Sequence, residues 1–264
     1  MGISFYCNIN EECNVKNKKL SKLNEKINLP LFSKLINKKN IDIEFIPPND
    51  DVFAESNKWK LFIKEEKIPN WFNDAHKKAA FKSLQESLNN YIIKGKHNTL
   101  KPGKYILKDA EIGEIGDDVN VIQMENSYIE NVKGNCIIEE ATKKSIINNM
   151  EGNSQLYSVY NSEINTLGCN SKVYNLYKGS NIDCIIDNGQ VFTAEGNIKD
   201  IYNDGHVNYL SNNGIIDKIH DNAIVDSVIN NGIINKVLGK AKVKMIQDNG
   251  KVNVKANLIL ERNM

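Results

Sequence analysis

The side chains that most often carry out chemistry are few in this 264-residue chain, and none stands at a spacing typical of a catalytic or metal site. No HxH, HExxH or Cys–His spacing accompanies the histidines, which are His76, His97, His206 and His220. A GxSxG elbow, a GxGxxG loop and a Walker phosphate loop are all missing. We therefore predict no catalytic residue, no metal and no cofactor, and we interpret the histidines as exposed corner residues.

The cysteines indicate a reducing environment, because they are odd in number and lack paired spacing. They are Cys7, Cys13, Cys136, Cys169 and Cys184. No apolar run approaches the ~18 residues of a membrane span, and acidic residues follow the N-terminus too closely for a signal peptide. We predict a cytoplasmic protein without a membrane partner, located in the host cell cytoplasm if a phage encodes it.

Carboxylates are numerous enough to supply the acid pair that a glycoside hydrolase needs. Those considered are Asp117, Asp118, Glu139, Glu140, Asp183, Asp187, Asp204, Asp217 and Asp226. Polysaccharide-cleaving β-helices usually wall their cleft with inserted loops, whereas the second half of this chain is almost free of insertions. A carbohydrate-binding or carbohydrate-active protein is therefore an alternative function rather than the preferred one.

These residues must be positioned by a repeat that fills residues 109–260. The units are nine residues long or nearly so, and most of them begin with a small residue. The first positions are Ala110, Val119, Ser127, Cys136, Ser145, Ser154, Ser162, Ser171, Ser180, Gly189, Gly196, Gly205, Gly214, Ala223, Gly232, Ala241 and Gly250. An aliphatic side chain follows at position three and another, in nearly every unit, at position six, as in Ile164 and Leu167 after Ser162. Asn, Asp or Gly closes most units.

The repeat predicts an all-β solenoid (β-helix) after an α+β N-terminal region. Positions one and three point the same way along a short strand, and a bend before position six keeps that side chain inside. Asn, Asp and Gly tolerate the left-handed backbone of a tight corner. About seventeen nonapeptide units, stacked two to a coil, predict roughly eight coils and a length of ~40 Å. Calcium is disfavoured because position three is apolar.

The N-terminal part of the chain lacks this period, and we divide it into two regions. Residues 1–57 are predicted to be a basic α/β region, and residues 58–108 a strand followed by a helix that caps the solenoid. Strands are predicted at 3–9, 41–47 and 58–64, and a lysine-rich helical stretch within 17–38. The capping helix is predicted to begin after Asn73 as its N-cap and to run toward Gly95.

Charge is distributed unevenly between the two parts. Residues 1–108 carry 20 Lys and 12 acidic residues, a net charge of +8, whereas residues 109–264 carry 14 basic and 21 acidic residues, a net charge of −7. The N-terminal basic patch comprises Lys16, Lys18, Lys19, Lys22, Lys38 and Lys39. Such a patch could contact nucleic acid or an acidic protein, but a solvated helix face is the favoured interpretation.

Superposition of alternate units brings aromatic residues together on one outward surface. Ile122, Glu139, Tyr157, Tyr174 and Phe192 share position four, and Tyr160 and Tyr177 share position seven. We predict that Tyr157, Tyr160, Tyr174, Tyr177 and Phe192 form a partner-binding aromatic face, since contiguous exposed aromatics mark interaction surfaces. The alternatives are a stacking ladder, a surface covered by residues 1–57 or by a second copy, and a small-ligand platform.

The sequence also resembles uncharacterised bacterial and phage mobile-element proteins that have an IPxWF segment, a helix and a tail of short GNAxVxxV-like solenoid units. The matching residues are Ile68, Pro69, Trp71 and Phe72, followed by units such as 214–222 and 223–231. The resemblance covers residues 58–260 and brings no catalytic residues with it.

From these observations we expect a non-enzymatic β-solenoid binding protein. The resemblance implies an inhibitor or decoy that acts on a host protein, such as a defence component, through protein–protein contact. Nucleic acid is not the favoured partner, and a homo-oligomer is compatible with the pattern. A second alternative is a scaffold that assembles end to end through its C-terminal coil.

Overall fold

A computed structural model of the chain describes residues 3–22 and 40–255. The chain forms two compact units, Met1–Tyr91 and Ile92–Met264. The sequence-based boundaries lie instead at residues 57 and 108. The difference arises because residues 60–63 pair with a strand of the first unit, whereas residues 92–99 already pair with a strand of the second.

The first unit contains a four-stranded antiparallel sheet in the order β2-β1-β3-β4. Its strands are β1 (Ile3–Asn10), β2 (Val15–Lys22), β3 (Asn40–Ile46) and β4 (Lys60–Ile63), with single 3-10 turns at Pro48–Asp50 and Ser56–Lys58. The predicted strands 3–9, 41–47 and 58–64 are confirmed with small shifts at their ends. The predicted helical stretch within 17–38 is wrong for residues 17–22, which belong to β2, and its remainder lies outside the described residues.

One face of this sheet is packed against helix α1 (Asp74–Tyr91). Alternate residues of β1 and β3, such as Phe5 and Phe45, are fully buried, and the Phe45 ring meets Phe81 of the helix at 4.9 Å. The helix begins after Asn73, whose side-chain oxygen accepts a hydrogen bond from the Ala75 N–H at 2.9 Å. The predicted N-cap is therefore confirmed, and the helix ends at Tyr91 rather than near Gly95.

The second unit is a β-solenoid of 18 strands. They are β5 (Ile92–Thr99), β6 (Gly103–Ile115), β7 (Val119–Glu125), β8 (Tyr128–Val132), β9 (Ile137–Thr142), β10 (Ile146–Met150), β11 (Gln155–Val159), β12 (Glu163–Leu167), β13 (Lys172–Leu176), β14 (Asn181–Ile185), β15 (Gln190–Ala194), β16 (Asn197–Ile201), β17 (His206–Leu210), β18 (Ile215–Ile219), β19 (Ile224–Val228), β20 (Ile233–Val237), β21 (Lys242–Ile246) and β22 (Lys251–Lys255).

From β6 onward, each strand pairs in parallel with the strand two places away along the chain. Ile147 of β10, for example, lies opposite Ile129 of β8 and Ile164 of β12. The odd-numbered strands β7 to β21 therefore form one sheet, called here the odd sheet, and the even-numbered strands β8 to β22 form the even sheet. This pairing confirms two units per coil.

The solenoid has about 10 turns, more than the eight predicted, because it begins before residue 109. The long strand β6 bends between the sheets, since Gly103–Lys108 pairs with β7 and Glu111–Ile115 pairs with β8. Strand β5 pairs in parallel with both parts of β6. At ~4.8 Å per turn, the solenoid unit is roughly 45 Å long.

The interior of the solenoid is built from positions three and six of each unit. Ile164 and Leu167 are fully buried, and the same holds for the equivalent aliphatics from β7 through β19. One turn cannot shelter these side chains from water, but neighbouring turns bury them in a continuous core. At roughly 25 cal/mol per Å² of apolar surface, this core is the main stabilising contribution in the unit.

Close approach between turns explains the small residue at position one. A Cβ atom on Gly189 would lie 2.3 Å from the Leu167 carbonyl oxygen, so a side chain cannot be added there without movement of the backbone. Ser171 is accommodated because its hydroxyl donates a hydrogen bond to the Met150 carbonyl oxygen at 2.9 Å.

The corners adopt the predicted left-handed backbone, mostly at Asn, Asp and Gly. Asp187 and Asn188 have φ of 45° and 66°, and Gly152 has 74°. Lys143 and Lys144 depart from this pattern, since both are left-handed at 51° and 67°. Such a conformation costs a residue with an ordinary side chain about 1–2 kcal/mol.

Candidate functional site

The odd sheet carries a ladder of three aromatic rings. Because β11, β13 and β15 stack in register, Tyr157, Tyr174 and Phe192 occupy equivalent outward positions on successive turns. The ring centroids are 4.9 Å apart for Tyr157–Tyr174 and 4.8 Å for Tyr174–Phe192, with interplanar angles of 35° and 4°. The structure therefore brings together the position-four aromatics that the sequence analysis grouped.

A second stacked pair lies at the corner that follows the same strands. Tyr160 and Tyr177 are 4.2 Å apart and almost parallel, at 7°. Burial, followed by the interaction with the Tyr177 hydroxyl, raises the pKa of Tyr160 to about 12. This pair and the three-ring ladder together make up the aromatic face.

The rings of the aromatic face expose mainly their edges to solvent, because the faces that point toward neighbouring rings are covered by those rings. Tyr157, at the start of the ladder, is 36% exposed, whereas Tyr174 and Phe192 are half-buried. The Tyr174 hydroxyl donates a hydrogen bond to the Gln155 side-chain oxygen at 3.2 Å, which fixes the ring direction. The face is thus a stacking ladder and also a partly exposed apolar surface.

The ladder ends within the sheet on both sides. On the preceding turns, Glu139 and Ile122 share position four but are only 9% and 3% exposed. On the following turns, position four becomes polar, with Asn208 and then Asp226, and Asn208 donates a hydrogen bond to Asp226 at 3.0 Å. The aromatic surface is therefore confined to the middle of the solenoid, and Ile122 and Glu139 do not extend it.

A polar network occupies the odd sheet on the turns that follow Phe192. His206 Nε2 and Lys244 Nζ each lie 2.9 Å from the Asp226 carboxylate. Burial alone would raise the pKa of Asp226, but the hydrogen bond from Lys244 and the charge of His206 outweigh it, and the pKa is lowered. The interpretation of His206 as an exposed corner residue is therefore wrong, because the side chain is half-buried and paired on a strand.

Two features near the aromatic face were missed by the sequence reasoning. Tyr209 of β17 is 51% exposed at position five, where neighbouring units carry no aromatic side chain that would mark the position in the repeat. Three lysines also border the ladder. Lys172 lies on the same strand as Tyr174, and Lys144 and Lys178 are exposed at the corners.

In contrast to the later even strands and their corner, which carry Lys236, Lys240 and Lys251, the second part of β6, the even strands β8 to β18 and the corners after them are strongly acidic. Between residues 110 and 222 they carry three lysines, Lys133, Lys199 and Lys218, and thirteen carboxylates. These are Glu111, Glu114, Asp117, Asp118, Glu130, Glu151, Glu163, Asp183, Asp187, Asp200, Asp204, Asp217 and Asp221. The two faces of the solenoid therefore present different chemistry, aromatic on the odd sheet and acidic on the even sheet.

The acidic residues of the solenoid do not assemble a walled substrate cleft in the part of the chain that the structure describes. An open groove of about 430 Å³ at one corner contains Asp109 and Glu111. Both are engaged in the fold, because Asn126 donates to Asp109 at 2.7 Å and Lys96 to Glu111 at 2.6 Å. This arrangement gives no support to a paired-carboxylate mechanism at that groove.

The predicted N-terminal basic patch is only partly described. Lys16, Lys18 and Lys19 lie on strand β2, where Lys16 and Lys19 pair with Asn8 and Tyr6 of β1 and therefore point to the same side of the sheet. All three are exposed, and Lys18 lies 3.9 Å from Glu86. The interpretation as a solvated helix face is therefore wrong for these three. The side chain of Lys22, and Lys38 and Lys39 entirely, lie outside the described residues.

The other histidines are held by protein groups. The rings of His220 and Tyr202 stack at 5.3 Å, and His220 contacts Asp200 and Asp221 at 2.9 and 3.0 Å. His76 is buried in helix α1 and bonds to the Glu11 carbonyl oxygen at 3.0 Å, so its interpretation as an exposed corner residue is also wrong. No group of three or more potential metal ligands occurs among the residues that the structure describes.

All five cysteines are free, and they differ sharply in exposure. Cys7 and Cys136 are buried, as predicted for Cys136, and burial raises the pKa of each thiol to about 12. Cys169 is exposed at a left-handed corner, with φ of 48°. The buried thiols are therefore structural and protonated at neutral pH.

Within the described ranges, no helix has the length and apolar character required to cross a membrane. Comparison of the chain with models of protein families, with curated proteins and with solved structures finds no match in any of the three.

Proposed function

We propose that this chain is a non-enzymatic β-solenoid that binds a protein partner through its aromatic face. The observation that carries the proposal is the outward ladder of Tyr157, Tyr174 and Phe192 on a solenoid whose core is formed by other residues. Partly exposed aromatics on a rigid sheet are suited to protein contacts, because they contribute large contact areas and lose little conformational entropy on binding.

The stacking geometry favours a protein partner over a carbohydrate. Sugars bind aromatic side chains through the flat ring faces. Here neighbouring rings at 4.2 to 4.9 Å cover both faces of Tyr174 and one face of each of the other four rings. A protein can instead cover the ring edges with its own aliphatic and aromatic side chains. The ladder therefore supports the protein-binding proposal more strongly than the carbohydrate alternative.

The finer form of the proposal concerns the identity of the partner. The resemblance of residues 58–260 to phage and mobile-element proteins supports an inhibitor or decoy of a host protein, with a defence component as the leading candidate. A rigid solenoid suits this role, because it presents its binding surface without an ordering cost on association.

The test is affinity capture from bacterial lysate with the full chain and with the double variant Tyr157→Ala, Tyr174→Ala. We expect the wild type to capture a specific protein and the double variant to lose it, since the central rings of an interface carry most of its binding energy. Tyr202→Ala is a matched control, because it removes a stacked ring from a corner after the even sheet.

Circular dichroism establishes that each variant remains folded. Equal capture by the wild type and the double variant contradicts the proposal. Loss of capture in the Tyr202→Ala control as well assigns the effect to the fold rather than to the aromatic face, and it also contradicts the proposal.

A further inference from the structure

The charges that border the aromatic face indicate the chemistry of its partner. Lys172 precedes Tyr174 by two residues on β13, so both side chains point outward from the same strand. Lys178 follows Tyr177 at the corner. Lys144 belongs to the same row of corners, where its N–H bonds to the Asn161 carbonyl oxygen at 2.7 Å. Three cations therefore lie on the strand that carries Tyr174 and along the row of corners that carries Tyr160 and Tyr177.

These three lysines are available to a partner. Within the described part of the chain, no ion pair or side-chain hydrogen bond involves the ammonium groups of Lys144, Lys172 or Lys178. The carboxylates beside the face are Glu139, Glu140 and Glu195. Each has a partner within the chain, and Glu195 accepts a hydrogen bond from the Asn212 side chain at 2.5 Å. By contrast, Lys143 is bound to Glu125 at 2.8 Å. Among these charged side chains beside the aromatic face, the three lysines are thus the ones without a side-chain partner in the described part of the chain.

The Lys144 backbone provides an independent observation at the same corner. Lys143 and Lys144 are both left-handed, where most other corners place Asn, Asp or Gly. Strained backbone in a folded protein is often associated with a functional site. Lys144 also borders two open grooves of about 430 and 320 Å³, but these lie along the even strands and are lined by Asp109, Glu111 and Glu163, so the docking surface does not extend into them.

We infer that the aromatic face of the odd sheet, with Lys144, Lys172 and Lys178, docks an acidic protein segment that alternates carboxylates with apolar side chains. The inference rests on the proposed function and specifies its partner. Carboxylates pair with the three ammonium groups, and the apolar side chains cover the ring edges. The acidic even sheet repels such a segment, which restricts docking to the odd sheet.

The same geometry disfavours a nucleic acid strand, although cations and aromatics together often mark one. Single-stranded nucleic acid binds when bases stack on free ring faces. In the aromatic face, the inner ring faces are already stacked on one another, at 4.2 Å for Tyr160–Tyr177 and 4.8 Å for Tyr174–Phe192. A peptide that contacts ring edges has no such requirement.

The experiment uses a fluorescein-labelled peptide of alternating Glu and Leu and measures its binding to the full chain by fluorescence anisotropy. We expect binding that weakens as salt is raised, because exposed charges are screened. The triple variant Lys144→Gln, Lys172→Gln, Lys178→Gln is expected to bind the peptide about tenfold more weakly. Each exposed Lys–Glu ion pair contributes little to the binding free energy, and the loss of three pairs together gives this factor.

The control has the same change in net charge at another place. Lys199→Gln, Lys236→Gln, Lys240→Gln removes three exposed lysines that lie outside the aromatic face, and it is expected to bind like the wild type. Equal weakening in both triple variants, tighter binding of an alternating Lys–Leu peptide, or tighter binding of oligothymidylate overturns the inference.

The inference and the proposed function fail in different ways. If the Tyr157→Ala, Tyr174→Ala variant loses its lysate partner while the Lys144, Lys172, Lys178 variant keeps it unchanged, the proposed function holds and the acidic-segment inference is wrong. If neither variant affects capture, both are wrong.

Discussion

Single residues of this solenoid differ in environment in ways that follow from their place in the repeat. Cys136 stands at position one, where neighbouring turns approach each other, and its thiol is buried. Cys169 stands at a corner and is exposed. The same residue type is therefore inert at one position and accessible at the other, and reactivity can be predicted from the nine-residue alignment alone.

We expect alkylation with iodoacetamide at neutral pH to modify Cys169 rapidly and to leave Cys7 and Cys136 unmodified until the chain unfolds. The reason is that only the thiolate reacts, and burial raises the pKa of both buried thiols to about 12. Mass spectrometry of peptides from a reaction time course measures this order. Early modification of Cys136 in the folded protein contradicts the buried position.

The raised thiol pKa values also set a pH dependence of stability. The unfolded thiols ionise near 9, whereas the folded ones ionise at about 12. The contribution of their burial to the free energy of unfolding is fully present below pH 9 and is lost as the pH rises toward 12. Urea titrations in this range are expected to show a smaller loss for Cys136→Ala than for the wild type.

At the scale of strands and turns, the sequence predicted the repeating elements well. Positions three and six alternate with outward residues in a fixed pattern, so the strands from β7 onward, their stacking and the aromatic ladder could be deduced from spacing. The identity of the outward residues is not constrained by packing in the core. Tyr209 and the three lysines around the ladder belong to variable positions, and only the register between turns places them beside the rings.

The elements that escaped sequence reasoning lack the signals of the repeat. Strand β5 and the first part of β6 stack like later turns, but small residues and Asn corners are scarce there, so the repeat pattern predicts a solenoid that begins only at residue 109. Strand β2 reads VKNKKLSK and is rich in lysine, a good helix former. The segment forms a strand because it pairs with β1, and local composition does not reveal such a long-range contact.

Substitution of one inter-turn glycine tests the packing of strands directly. Gly189→Ala is expected to reduce the free energy of unfolding by about 1–3 kcal/mol, because the new Cβ would lie 2.3 Å from the Leu167 carbonyl oxygen. Gly116→Ala is the control, since a Cβ there has no neighbour within 4 Å. Urea denaturation measures both, and an equal effect of the two substitutions contradicts the packing explanation.

At the scale of the whole solenoid unit, stability is expected to vary along its length. Each turn is supported by the turns on either side, and among the described residues β21 and β22 pair with a strand on one side only. Val243 is fully buried, but Ile246 and Val252 are half-buried and Val254 is 51% exposed. The end at β21 and β22 is therefore the less stable part of the described solenoid.

Hydrogen exchange measured by mass spectrometry provides the test on the full chain. We expect the amides of β11 to β15 to exchange slowest and those of β21 and β22 to exchange fastest among the solenoid strands, since local opening requires less buried surface to be exposed at an end. Uniform exchange along the unit indicates a single cooperative unit and contradicts this gradient.

The spacing of the turns also limits how such a chain can change length during evolution. Tyr157 and Tyr174 are neighbours because one complete winding separates them. Gain or loss of a single nonapeptide exchanges the odd and even surfaces for everything downstream, so it transfers later side chains to the opposite side. Gain or loss of a whole winding leaves both surfaces in phase. Duplication by whole windings is thus a route by which the ring ladder can lengthen or shorten while the remaining surface keeps its pattern.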